Sequence, residues 1–246
     1  MCGRFTLTRQ DRRELAELLG VDERDLRDYQ PRYNIAPLQD HLVIRSKYER
    51  RQLIPARWGL VNSWATNSAS AASCINAKAE TVETRSSFKD AFTKRRCIVP
   101  ADGFYEWRGP RNNREALWIH PANGGLLWLA GLFESWQPEP GVWQRTFTIV
   151  TTRANRLIEP IHDRMPVISR RTGRRRLHES CERDLLRLES LLVRAADDNH
   201  VIGPASPLVT GANNDSPTEM FLDPCGSSVL SRGPPDSPVE EMAGFG

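Results

Sequence analysis

A cysteine at position 2, directly after the initiator methionine, can do chemistry that no internal cysteine can. If the methionine is removed, as a small following side chain permits, Cys2 presents a free α-amine and a thiol on adjacent carbons. That pair reacts with an aldehyde. The amine forms an imine, and the sulfur then closes a five-membered thiazolidine ring. Reference pKa values of about 7.7–8.0 for an α-amine and about 8.5 for a thiol bring both groups near neutral pH after modest environmental shifts. An acid or base must still move the protons. If the methionine stays, Cys2 is an ordinary small hydrophobe.

Three segments offer partners for that chemistry. In CINAKAET (74–81), Asn76 can hold the amine or a sugar hydroxyl through its amide. Lys78 lies two residues on and points the same way in an extended chain; the plain alternative is a strand end with a solvated lysine. In ADGFYEWRG (101–109), Glu106 stands between Tyr105 and Trp107. A carboxyl in aromatic surroundings is desolvated, which raises its pKa and suits it to proton transfer. By simple alternation it would instead face water, or it would pair with an arginine. In EPIHDRMPVI (159–168), His162, Asp163 and Arg164 occupy a Pro-flanked loop before an apolar strand. Histidine titrates near pH 7, and the same tripeptide also reads as a salt-bridged turn. Of the other histidines, His120 ends a strand, while His41, His178 and His200 sit in polar stretches.

These residues need a scaffold, and the periodicity supplies one. Thr8 is placed to cap a helix running to about Leu19, with Leu15, Leu18 and Leu19 on one face and Gly20 as its stop. PRYNIAP (31–37) is Pro-bounded and must be extended or looped. Residues 41–61 read as two strands about a charged turn, and 62–73 as a small, polar loop. Residues 79–95 carry a helical period with Val82, Phe88 and Phe92 as anchors. The stretches 97–107, 116–120, 126–135 and 146–152 alternate with turn segments, which points to a mostly antiparallel sheet wrapping toward a barrel or sandwich. A further helix is expected from about Ser180 to Ala195. Residues 1–222 form one domain, and the Gly-, Pro- and Ser-rich residues 223–246 read as a disordered tail.

The composition narrows the function classes. The 246 residues carry a formal net charge of +3, which permits a nucleic-acid partner without requiring one. No apolar run approaches the ~18 residues of a membrane span, and the first residues lack a secretory apolar core. Five cysteines, Cys2, Cys74, Cys97, Cys181 and Cys225, form an odd set without zinc-type spacing, so a reduced compartment and no metal are expected.

Together MCGRF, RYNIAP, WGL, INAKAET, ADGFYEW, TIVTT and IHDRMPV occur in the order and approximate spacing of the SRAP family, the SOS-response-associated peptidases. The chain resembles that family strongly over about residues 2–168, and weakly again through NNDSPTEM near 213–220. The resemblance implies an α+β fold with a mainly antiparallel, barrel-like β-sheet core and flanking helices. It implies single-stranded DNA containing abasic sites as partner, and a covalent thiazolidine crosslink through Cys2. It also implies thiol autopeptidase activity that removes what precedes the cysteine, and lyase-type chemistry through the imine. Cys2, Asn76, Glu106 and His162 take the catalytic roles: nucleophile, positioning amide, proton carrier, and the group assisting imine formation and sugar-ring opening. Arg4, Asn34, Lys78 and Arg164 become DNA contacts, with Trp58, Trp64 and Trp107 as stacking or wedging surfaces. Core packing is the alternative for the tryptophans, favoured for Trp58 and Trp107. Lysine at 78 replaces the family's usual arginine and loses the bidentate fork. No cofactor is implied. A monomer is expected, cytoplasmic and nucleoid-associated, or nuclear in a eukaryote.

One departure follows MPVIS, where the family usually begins a tryptophan-containing helix. Here residues 170–176 hold five arginines, a solvated loop or an extension of the basic surface. Two other readings stand beside the crosslinker. A plain N-terminal-nucleophile peptidase or amidohydrolase would use the same Cys2, and a non-covalent single-stranded DNA-binding module would need only Arg4, Lys78 and the tryptophans.

Overall fold

The alternating segments form strands, and five of the strands close on themselves. The computed structural model describes residues 2–48, 50–110, 112–169, 200–217 and 220. In chain order the elements are β1 (Phe5–Leu7), α1 (Arg12–Leu19), β2 (Arg32–Ile35), β3 (Asp40–Lys47), β4 (Arg50–Trp58), β5 (Asn76–Lys78), α2 (Lys89–Lys94), β6 (Arg96–Ala101), β7 (Gly103–Arg108), β8 (Glu115–Pro121), β9 (Leu127–Glu139), β10 (Val142–Arg153), β11 (Arg164–Pro166) and β12 (His200–Pro204). The expected helix near 180–195, the arginine run and residues 223–246 lie outside the described residues.

The strands β10, β4, β3, β6 and β9 are hydrogen-bonded in that order, and β9 returns to β10, which closes a five-stranded barrel. Closure leaves no exposed edge along these strands. The pairings are antiparallel except where β10 runs parallel to β4 (Phe147 opposite Trp58) and to β5 (Val150 opposite Ala77). Gly131 sits where β9 bends between its two neighbours. A Cβ there would lie 2.9 Å from the Cys97 sulfur and 3.1 Å from the Thr148 carbonyl oxygen, so only glycine lets the three strands approach.

A second sheet, β12–β8–β7–β1–β2, is wholly antiparallel. Asp102 makes the corner between the sheets, being the single residue between β6 and β7. Its carboxylate accepts from the Thr6 hydroxyl (2.5 Å), the Thr8 amide (2.6 Å) and the Thr8 hydroxyl (2.7 Å), so β1 is pinned to the start of β7. Apolar side chains from both sheets form one core that includes Phe5, Trp58, Phe104 and Phe147. Phe5 meets Trp58 edge-on, with ring centroids 5.1 Å apart, and Trp58 stacks on Phe147 at 6.2 Å. His41, expected in a polar stretch, is buried against Phe5, and desolvation pushes its pKa down to about 4.

Two helix readings are corrected. The cap of α1 is Asp11, whose side chain accepts from the Arg13 and Glu14 amides, and not Thr8. Thr8 is committed to Asp102. The stop at Gly20 holds, in a left-handed conformation at φ 65°. Within 79–95 only Lys89–Lys94 is helical, and Thr81–Phe88 forms successive turns. Val82, Phe88 and Phe92 are buried as anchors all the same, so the spacing reported burial and not helix. Among the described residues no helix is long and apolar enough to cross a membrane.

Candidate active site

Cys2 lies just ahead of β1, and β1 is held on both sides. Phe5 pairs with Phe104 of β7 and with Ile35 of β2. The ladder with β7 continues backward as the Tyr105 amide donates to the Arg4 carbonyl (3.0 Å), which carries the chain toward Glu106. The Cys2 side chain is fully enclosed, its sulfur 3.7 Å from the Arg4 carbonyl oxygen.

Asn76 reaches Cys2 from the other sheet. The Ile75 carbonyl accepts from the Trp58 indole (2.8 Å) and from the Ile149 amide (3.1 Å), which fixes the backbone immediately before Asn76. From there the Asn76 side-chain amide donates to the Cys2 carbonyl at 2.9 Å. The core tryptophan of β4 thus sets the residue that holds the first turn of chain, a role its burial alone does not reveal.

Glu106 is 2% exposed within β7. Desolvation raises its pKa to about 7, helped by Asp163 and opposed by the positive amino terminus and Arg114. Burial pushes the Cys2 thiol well above its usual range, and the charge of Glu106 pushes it in the same direction, so the sulfur is held as a protonated thiol. His162 is half-buried. Its pKa is lowered, first by desolvation and then by the amino terminus, against the pull of Asp163. Its Nδ1 accepts from the Arg164 amide at 2.9 Å. Asp163 Oδ1 also lies 2.9 Å from Nδ1, but that contact would need a proton on Nδ1. The backbone amide has only one possible polarity, and it assigns the neutral ring its proton on Nε2. Glu106 and His162 feel the same Asp163, Arg114 and amino-terminal charges, which places both in one electrostatic neighbourhood.

The expected DNA contacts fall into two groups. Lys78 is exposed, and Trp64 is 68% exposed on a loop anchored where the Trp136 indole donates to the Ala65 carbonyl (2.7 Å). Trp107 is half-buried against Tyr105, and Arg4, also half-buried, donates to the carbonyls of Gly3 and Thr210. Asn34 and Arg164 point inward. Asn34 is fully buried, and its amide nitrogen donates to the carbonyls of Val209, Gly211 and Asn214. Asp215 completes that staple by accepting from the Tyr33 and Asn34 amides and pairing with Arg32. Arg164 is 8% exposed and bound to Glu80.

Sequence reasoning missed Asp102 and Glu80. The Asp-Gly step at 102–103 was a visible turn signal inside one presumed strand, and Glu80 stood in the quoted INAKAET motif. Among the described residues no group of three or more His, Cys, Asp or Glu side chains is arranged to hold a metal ion. A cavity of about 810 Å³ opens elsewhere, against Tyr29, His41, Leu42 and Leu53, and none of the four catalytic candidates lines it.

Comparison with known proteins bears on this geometry. The model of the family described as "SOS response associated peptidase (SRAP)" matches residues 1–211. A Bacillus subtilis protein named abasic site processing protein YoqW is 36% identical over 219 residues, 88% of this chain and 97% of that protein. The rat abasic site processing protein HMCES is 31% identical, with 86% of this chain and 69% of the relative covered. The Escherichia coli abasic site processing protein YedK is 34% identical over 173 residues, 68% of this chain and 75% of that protein. A crystal structure of a Bacteroides thetaiotaomicron protein superposes with a TM-score of 0.74 at 22% identity, over 84% of this chain and 93% of that one, and supports the fold.

Proposed function

The chain belongs to the SOS response associated peptidase family, and we propose that it processes abasic sites in single-stranded DNA by closing a thiazolidine between Cys2 and the sugar aldehyde. The observation that carries the proposal is the Asn76 amide bonded to the Cys2 carbonyl, with Glu106 acting electrostatically on the same thiol.

Removal of Met1 frees the Cys2 amine, and the Cys2 thiol serves the autopeptidase that strips a preceding residue. The amine then adds to C1′ of the ring-opened sugar, and the aldehyde oxygen gains a proton. Loss of that oxygen as water leaves an imine. The sulfur adds to the imine carbon, its proton passes to the nitrogen, and the ring closes. Every step moves a proton. A carboxyl titrating at about 7 is present in both forms at neutral pH, so Glu106 can give the proton that water leaves with and take the one the thiol releases. His162, neutral with its proton on Nε2, is suited to protonate the sugar oxygen as the ring opens. Asn76 removes rotational freedom from the reacting residue, which favours ring closure. An imine left open acidifies the C2′ hydrogen and leads to strand cleavage, the lyase outcome; ring closure withdraws that route. Lys78 and Arg4 hold phosphates and Trp64 stacks a base, so binding depends on salt and little on sequence.

Incubation with a single-stranded oligonucleotide carrying one abasic site tests this. Purified protein should yield a heat-stable adduct, and mass spectrometry should show Met1 absent and the adduct on Cys2. Cys2→Ala should yield none. An equal yield from Cys2→Ala overturns the cysteine's role, and binding without an adduct leaves only a DNA-binding module.

A further inference from the structure

We infer that the tip of the β3–β4 hairpin, with Arg145 of β10 beside it, is a second contact surface for single-stranded DNA, separate from the Cys2 site; the inference rests on the proposed DNA substrate. Residues 45–51 read RSKYERR, in which Arg45, Lys47, Arg50 and Arg51 outnumber Glu49 to give a net +3, equal to the formal charge of the whole chain. Glu49 itself lies outside the described residues. From the tip, β4 runs from Arg50 to Trp58, whose indole holds the Ile75 carbonyl next to Asn76. Steps of about 3.4 Å per residue put the tip roughly 27 Å from that end of the strand. The screening length is about 10 Å at 0.1 M salt, so the two ends act on a bound strand independently.

Three features of this tip are unfavourable in the protein on its own. Lys47 stands directly opposite Arg50 in the ladder, a like-charged cross-strand pair. Tyr48 turns the hairpin at φ 52°, a left-handed conformation that a bulky side chain adopts only at a cost. Arg45 lies over the Phe133 ring, 5.7 Å from its centroid, with its fork on the neutral Gln52 Oε1. Burial lowers the pKa of Arg45, and the charge of Arg145 lowers it further. Among the described residues no carboxylate pairs with Arg45, Lys47, Arg50 or Arg145, whereas Arg95, whose carbonyl accepts from the Phe133 amide, is matched by Glu134. A polyanion supplies the missing countercharge to all four cations at once. The rings narrow its chemistry. Tyr48 is 85% exposed, with the Lys47 ammonium 5.1 Å from its centroid on one face, which leaves the opposite face for a base. Trp143, also exposed, is two residues from Arg145 on β10. Cations set between exposed rings suit a strand that offers both phosphates and unstacked bases. An acidic peptide would use the charges and leave the rings idle.

The experiment reads the two ends separately in the full chain. Fluorescence anisotropy with an undamaged single strand of about 30 nucleotides covers both, and crosslinking of an abasic strand of about 8 nucleotides reads the Cys2 end alone. In a variant combining Lys47→Gln, Arg50→Gln and Arg145→Gln, the slope of log affinity against log salt on the long strand should flatten by about 2, which is ~0.7 per phosphate for each of the lost contacts. Tyr48→Gly should weaken long-strand binding about fivefold or more. Its melting temperature should stay at or near native, because glycine takes a positive φ without strain. Both variants should crosslink the short strand at the native rate and with the native half-saturating concentration. An unchanged salt slope in the charge variant overturns the inference. So does a rise in the short-strand half-saturating concentration equal to the loss on the long strand, since the substitutions would then act at the Cys2 end. Native long-strand affinity in Tyr48→Gly, with poly-glutamate bound as tightly as DNA, assigns the tip to an acidic protein segment and overturns it as well. Failure of the proposed crosslinking is recognised separately, as no adduct between the native chain and the short strand.

Discussion

Replacing Glu106 by Gln should make the protein more stable at pH 8 and flatten its pH dependence. An unfolded chain ionises this carboxyl near 4.5, whereas the folded chain keeps its proton to about 7. Between those values the folded state holds the extra proton, so raising the pH draws the chain toward the unfolded state. The carboxyl is 2% exposed, so solvent does little to relieve the penalty. A displacement of about 2.5 units at 1.36 kcal/mol each amounts to roughly 3 kcal/mol, present below pH 4.5 and lost by pH 8. For a chain of this size that corresponds to a melting-temperature difference of roughly 6–12 °C. Urea unfolding of native and Glu106→Gln protein at pH 4.5 and pH 8 measures it. The loss between the two pH values should be roughly 3 kcal/mol larger in the native chain, because titrating groups that do not sense Glu106 contribute to both proteins alike. Identical losses would refute the reasoning and leave Glu106 an ordinary acid. The same variant should form the DNA adduct more slowly while binding DNA normally.

Two further outcomes are expected. Trp64→Ala should leave the melting temperature unchanged, since the ring is 68% exposed, and should weaken binding of undamaged single-stranded DNA by roughly 5- to 150-fold in an anisotropy titration; unchanged affinity would remove Trp64 from the DNA path. Gly103→Ala should cost about 1–3 kcal/mol in urea unfolding, because its new Cβ would sit 2.1 Å from Trp118 Nε1, and that indole would have to leave Thr6. A stability equal to native would show the Trp118 contact to be soft.

The strands were readable because their residues alternate and their turns are marked by Gly, Pro and Asn. The helix cap was not, because Thr8 and Asp11 are both good caps, and the choice between them is made by Asp102, nearly a hundred residues away. The period over 79–95 identified Val82, Phe88 and Phe92 as buried, but turns can bury such a series as well as a helix can. At the site, Cys2 and Glu106 were legible as residue types whose chemistry demands a particular setting. That Asn76 meets Cys2 follows from Trp58 and Ile149 holding the Ile75 carbonyl, contacts with no local trace in the sequence. Asn34 shows the opposite limit. A buried amide and an exposed one look alike in sequence, and only the return of residues 207–215 to β2 decides which it is.

That return has a consequence for how the protein comes into being. Cys2 meets residues far along the chain, Asn76 by a hydrogen bond and Glu106 by its charge, and Asp215, later still, latches β2 beside β1. A chain whose residues 207–215 have not yet returned to β2 therefore lacks part of the support that holds β1, and with β1 the segment that carries Cys2.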